Sequence, residues 1–266
     1  MKYSIVTSLF GYYDTLKEPE GVDPNAEYIC ITDRDDLTSD VWKIVIDKFD
    51  EDMNGLQKAF TVKYDGLFNY ISNDSEYIVR LDASIQIHKS LEPIVKYLKD
   101  KNYLCALMLH PERSDMIDEY DTWESLRNHP HAFKETFIKE MQERNFNIHN
   151  TGLVETTFQI YRNCDVIRHM IKDISDIIKK TSNYSDNNDQ CYYTYVLSKY
   201  IDIIKILFVN RQVISSDFMD LCFHYSDKIV YEDHHHARGP LGEFIYDIDL
   251  PMTHKLFGKN RDIHFF

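Results

Sequence analysis

Apolar positions follow two periods along the chain. Short, nearly continuous runs read as strands buried on both faces, and longer stretches at i, i+3, i+4 spacing read as helices. Residues 3–10 (Tyr-Ser-Ile-Val-Thr-Ser-Leu-Phe) form the first run, 28–33 the second and 42–46 the third. Between them, 17–25 carries two prolines and many charges and reads as a surface loop. Over 55–72 the period changes: Leu56, Ala59, Phe60, Lys63, Leu67 and Tyr70 recur at helical spacing.

The next run, 77–87, is the one around which the rest is arranged. Apolar residues continue almost unbroken, meet Asp82, then resume, which predicts a central strand. An ionised Asp is seldom fully buried without a partner. Asp82 is therefore either held by structural hydrogen bonds or placed where the strand ends and a crevice opens. Arg80, two positions earlier, lies on the same strand face and can pair with Asp82 or reach a phosphate.

Pro93 suits the start of a short helix through Leu98, and 104–109 is another buried strand. The order β-β-β-α-β-α-β predicts an α/β layered sheet. Residues 112–148 are polar with helically spaced aromatics, as in a lid or insertion over the sheet edge. A strand at 154–161, an amphipathic helix at 165–180 with Asp165 as its cap, a helix at 189–200 and a late strand at 203–209 follow. From about 210 the pattern is irregular and rich in His. With no internal repeat or linker, 1–266 reads as one domain: a nucleotide-binding half over 1–110, an acceptor and sugar half over 111–209, and a tail over 210–266.

Composition narrows the class. The chain has 266 residues, 19 Tyr, 15 Phe and few Gly or Pro, enough apolar material for a sizeable core. No run approaches the roughly 20 residues that span a bilayer, and the N-terminus enters a strand pattern without a signal-peptide layout. The five cysteines, Cys30, Cys105, Cys164, Cys191 and Cys222, are scattered, without zinc or redox spacing. Buried, reduced thiols and a cytoplasmic protein are expected, with peripheral attachment at the inner membrane face compatible. A net charge of −14 disfavours nucleic acid as the main partner.

Three strand ends carry polar groups: Thr7-Ser8 with the Tyr12-Tyr13-Asp14 turn, Asp33, and Asp82-Ala83-Ser84. If these strands are parallel neighbours, the groups converge on one edge, where open α/β sheets bind ligands. The fit is to a nucleotide. Tyr12 or Tyr13 can stack on a base, Asp33 can accept from its ring N–H, and Asp82 can hold a divalent metal on a diphosphate. In so Tyr-rich a chain, ordinary packing competes for the tyrosines, and turn chemistry competes for each Asp.

These segments carry a resemblance. Residues 3–19 resemble the opening motif of a glycosyltransferase-like family long catalogued as a domain of unknown function, found in plant pectin and seed-mucilage synthesis and in bacteria. Residues 28–33 with 42–45 are similar to its second block and 81–87 to its third. His110-Pro111-Glu112-Arg113 with Asp118-Glu119, 152–156, and Asp189-Gln190 resemble later ones. The matches run in order over roughly 3–200.

The resemblance implies a GT-A-type fold: an α/β, Rossmann-type, mixed and mostly parallel sheet flanked by helices, binding a nucleotide-diphosphate sugar and a saccharide acceptor in polysaccharide biosynthesis. It implies Mn²⁺ or Mg²⁺ on an Asp-x-Asp, matched here by Asp82 and Ser84, so the second carboxylate is missing. A C-terminal His, with His254 and the run His234 to His236 as candidates, would complete the metal site; a solvated loop is the plain alternative for that run. Lys63 matches a basic position facing the diphosphate. Asn150 and Gly152 lie in a loop similar to the one that cups the donor sugar. Asp189, with Gln190, would hold sugar hydroxyls or act as base on the acceptor, although Asp at that position also suits a helix cap. His110 and Arg113 would touch donor or acceptor. The loop and the Asp-Gln pair lean toward retention. A nucleotidyltransferase or phosphatase on a similar sheet, and a non-catalytic binding or scaffold protein, are the readings from other classes.

Overall fold

The computed structural model describes residues 1–12, 14–110, 113, 115–127, 133–149, 151–209 and 219–221. Its elements are β1 (Tyr3–Leu9), β2 (Ala26–Thr32), β3 (Lys43–Ile46), α1 (Gly55–Phe60), β4 (Tyr77–Leu81), β5 (Ile85–Ile87), α2 (Glu92–Asp100), β6 (Cys105–Leu109), α3 (Met116–Arg127), α4 (Lys134–Glu143), β7 (Val154–Arg162), α5 (Asp165–Ser182), α6 (Asp189–Tyr200), β8 (Ile206–Val209) and β9 (Met219–Leu221). Among the described residues no helix is long and apolar enough to cross a membrane.

Seven strands form one sheet in the order β3-β2-β1-β4-β7-β6-β8. β1 runs parallel to β2 and to β4, β2 to β3, and β6 to β8; β7 alone is antiparallel to its neighbours β4 and β6. The expected α/β class, a mixed and mostly parallel Rossmann-type sheet flanked by helices, is what the chain forms. Strand order steps outward from β1 to β3, then returns across β1 to β4. That reversal creates a switch point beside the carboxyl ends of β1 and β4.

The alternation of each strand divides the core in two. Val6, Ile29, Ile31, Ile78, Cys105, Leu107 and Tyr161 face a cluster shared with α3, α4, α5 and α6. Tyr3, Ile5, Cys30, Val79, Ala106 and Ile160 face a second cluster with α2. Cys30, Cys105 and Cys191 are buried, as expected, Cys164 is half-buried, and none forms a disulfide among the described residues. Cys222 lies outside the described residues.

Several boundaries depart from the sequence reading. The run 77–87 is two strands, not one. Asp82-Ala83-Ser84 turns between β4 and β5, closed by the Ile85 N–H donating to the Asp82 carbonyl at 3.0 Å. Leu81 and Ile85 are both buried, which disguised the turn as continuous strand. β5 then leaves the main sheet and pairs antiparallel with β9. The helix at 55–72 is α1 followed by a wider, π-type turn over Thr61–Gly66 and a tight turn over Leu67–Asn69. Within the 112–148 block, Met116, Tyr120, Phe137 and Met141 are fully buried in the core. Residues just before each helix, Cys164 and Asn188, take the cap positions expected of Asp165 and Asp189, which begin the first turns. Pro93 does sit in the first turn of α2.

Candidate functional site

Four residues singled out by sequence converge at the carboxyl edge. Arg80, the penultimate residue of β4, stands opposite Gln159 of β7. Its side chain shares the sheet face of Ile78, toward α5 and α6. There the Nη1 N–H donates to the Thr156 carbonyl at 2.5 Å, and Nη2 pairs with Asp82 Oδ1. Asp82 is fixed in turn by its own N–H on the Thr157 carbonyl at 2.9 Å. Its side chain keeps 30% exposure, against 8% for Arg80, so the carboxylate is the more exposed partner of the pair.

Behind this pair lies a second one, fully inside. Lys63 Nζ and the Tyr64 hydroxyl both donate to Asp189 Oδ2 at 2.5 Å, and Thr156 Oγ1 donates to Oδ1 at 2.9 Å. Asp189 opens α6, so the positive end of that helix adds to its stabilisation. Burial works to raise the Asp189 carboxyl, but Lys63, Tyr64 and Arg80 overcome it and hold it below the usual carboxylate range. Burial, then the nearby Arg80 guanidinium, push the Lys63 ammonium down, with Asp189 and Asp82 opposing. Two cations and two carboxylates thus share one face, linked through Thr156. Adjacent residues on a regular helix point about 100° apart. The wider turn at Thr61–Gly66 lets Lys63 and Tyr64 reach the same oxygen.

A second cluster caps β1 and β2. Gly11, at φ +59°, turns the chain so that its N–H donates to Asp33 Oδ1 at 2.9 Å. Lys58 Nζ holds the other Asp33 oxygen at 2.7 Å. Tyr12 is 76% exposed, and the Arg34 guanidinium stacks 4.6 Å from its ring centroid. A flat aromatic and a guanidinium in this arrangement offer a stacking surface.

A third cluster closes β6. The buried His110 donates its backbone N–H to the Leu153 carbonyl at 2.7 Å, and its Nδ1 accepts from the Arg113 N–H at 3.0 Å. Arg113 also pairs with the buried Glu119. Gly152, at φ +72°, lies just before β7.

Lys63, Arg80, Asp82 and Asp189 are therefore brought together, and Tyr12 and Asp33 meet separately at the ends of β1 and β2. Thr7 is buried on the opposite sheet face, its hydroxyl without a partner among the described residues. Ser84 is buried in the turn before β5. Gln190 Oε1 is buried and has no partner among the described residues. Tyr13, Asn150, His254 and His234 to His236 lie outside the described residues. Sequence reasoning missed Tyr64, Thr156, Lys58 and Arg34 as partners. Tyr64 was hidden by the wide turn, and Thr156 by an alternation that the bulge between β6 and β7 interrupts.

The described residues do not by themselves make a divalent-cation site. Asp82 Oδ1 is paired with Arg80, Ser84 carries a hydroxyl and not a carboxylate, and no three His, Cys, Asp or Glu side chains converge among them.

The chain is thus an α/β protein with a charged polar site at the switch-point edge of its sheet. No family model and no curated protein matches it. Among solved structures, it is similar to the apo form of mouse xyloside xylosyltransferase 1, with a TM-score of 0.41 and 6% identity over 78% of this chain and 84% of that one. A likeness at that level bears on no residue of the site.

Proposed function

We propose that the chain is a glycosyltransferase that moves a sugar from a nucleotide-diphosphate sugar to a hydroxyl of a saccharide acceptor, with retention at the anomeric carbon. The observation that carries the reading is the convergence of Lys63, Arg80, Asp82 and Asp189 beside the switch point. The motif resemblance over roughly 3–200 supports it, including the 150–153 loop and Asp189-Gln190, on which retention rests.

Departure of a nucleoside diphosphate builds negative charge, and fixed cations in a water-poor site stabilise it without reorganising. Arg80 and Lys63 are the cations available. Tyr12 with Arg34, and Asp33 with its Gly11 and Lys58 contacts, would receive the base. Asp189 acts as a positioning residue rather than as a base. A carboxylate with three donors and a depressed pKa is a poor proton acceptor. It holds Lys63 in place and keeps Thr156 oriented. A divalent cation, if bound, would supply Lewis-acid stabilisation and would need ligands beyond Asp82 and Ser84, such as His254.

A non-catalytic binding protein is the second reading, favoured by the closed Lys63–Asp189 pair and by Ser84 in place of a carboxylate. Incubating the full chain with a panel of nucleotide-diphosphate sugars, with and without Mn²⁺, separates the two. Release of the nucleoside diphosphate from one donor class, reduced at least tenfold in Thr156→Val, supports the transferase. Binding without release favours the binding protein. Neither binding nor release sinks both.

A further inference from the structure

We infer that the positive charge this site offers a diphosphate is built into the chain as Arg80, and that Asp82 is its internal competitor rather than a metal ligand. The inference rests on the nucleotide-sugar reading above and specifies how that site would take its ligand.

Three observations point to it. The Arg80 guanidinium is buried and aimed by the Thr156 carbonyl at 2.5 Å, so its direction is set by the sheet and not by a flexible loop. Its other arm meets one oxygen of Asp82, the more exposed partner. Lys63 lies near enough that Arg80 depresses its pKa, after burial itself. A divalent ion on Asp82 would therefore meet a carboxylate whose Oδ1 already carries Arg80, with the buried Lys63 close behind. Like charges at such range repel strongly where water is scarce. An anion meets the opposite situation. Guanidinium binds carboxylate and phosphate by the same planar pattern of N–H donors. Asp82 occupies in the free chain the position that a diphosphate oxygen would take, and its side chain keeps 30% exposure.

This account reverses the usual expectation for a substitution at Asp82. If Asp82 held a metal on the diphosphate, Asp82→Asn would weaken nucleotide binding. If it competes for Arg80, Asp82→Asn frees the guanidinium and leaves affinity equal or tighter. Asp82 is exposed enough for the variant to fold, whereas Arg80→Ala would leave a buried carbonyl unpaired.

The experiment is calorimetric titration of the full chain with UDP, GDP, ADP and CDP, in EDTA and separately in Mn²⁺, on wild type, Asp82→Asn and Arg80→Lys. The expected result is one diphosphate binding in EDTA with an affinity within threefold of that in Mn²⁺. Asp82→Asn should bind as tightly or at least threefold tighter, and Arg80→Lys at least tenfold weaker. Binding only in Mn²⁺, or weaker binding by Asp82→Asn, overturns the built-in cation and leaves the transferase reading standing. No binding of any diphosphate under either condition overturns both.

Discussion

Lys63 and Asp189 lie 126 positions apart in sequence and 2.5 Å apart in space, each almost wholly buried. The pair pins the wide turn after α1 to the first residue of α6, across the edge of the sheet where β4 meets β7. Removing one member of such a pair strands the other charge in a dry interior.

Lys63→Met is therefore expected to lower unfolding free energy by about 3–5 kcal/mol. Replacing both partners, Lys63→Met with Asp189→Leu, should restore part of that loss, because no unpaired charge is left while the Tyr64 and Thr156 hydroxyls lose their acceptor. Urea denaturation of the two singles and the double measures the coupling. A double variant no more stable than either single would mean that the ion pair is not what the site depends on.

Acid sensitivity follows from Asp33. Burial works to raise its carboxyl, but the Lys58 ammonium and the Gly11 N–H hold it below the ordinary value. With the folded pKa depressed, the unfolded chain binds more protons in acid. The stabilisation is present above an unfolded value of about 3.9 and lost as pH falls through the folded one. The Tm difference between wild type and Asp33→Asn should be widest near neutrality and close below about pH 4. A gap that stays constant into strong acid would assign the effect to shape rather than charge.

Gln159 is fully buried between Arg80 on one strand and Leu107 on the other, and neither of its amide atoms has a hydrogen-bond partner among the described residues. An unpaired buried amide costs more than an apolar group of similar size. Gln159→Met should raise stability by about 1 kcal/mol, or about 2–4 °C in Tm. A fall of that size would instead indicate an internal water bonded to the amide.

Gly21 tests how the 17–25 loop is fastened. A Cβ there would meet Lys89 Cα at 2.4 Å and Ser90 N at 2.7 Å, both backbone atoms that cannot step aside cheaply. The neighbouring Glu20 N–H donates to the Ile87 carbonyl at 2.8 Å. Gly21→Ala should cost about 1–3 kcal/mol, and hydrogen exchange at the Glu20 amide should quicken. Unchanged exchange would show that the loop is held elsewhere.

The sheet was legible in the sequence because its central strands are buried on both faces. β1, β2 and β6 appear as apolar runs, and β7 as an alternating one, within one or two residues of their ends. The turn at Asp82 was not, because only three residues separate buried Leu81 from buried Ile85 and the apolar run resumes at once. The pairing of Arg80 with Asp82 was readable from their spacing. The convergence of Lys63 with Asp189 had no local signal at all, since it depends on how α6 docks against β7. Thr156 was hidden because the bulge between Leu107 and Met108 breaks the simple alternation that assigns faces.

The wide turn over Thr61–Gly66 makes this segment sensitive to chain length as well as to side-chain identity. Closing it into regular helix needs one residue fewer, and the segment could then continue with Val62 and Leu67 still directed toward the core. The same deletion would rotate Lys63 or Tyr64 by about 100° away from Asp189. A chain shortened by a single residue there is expected to stay folded and lose the buried ammonium from its edge, so that one codon separates the scaffold from its chemistry.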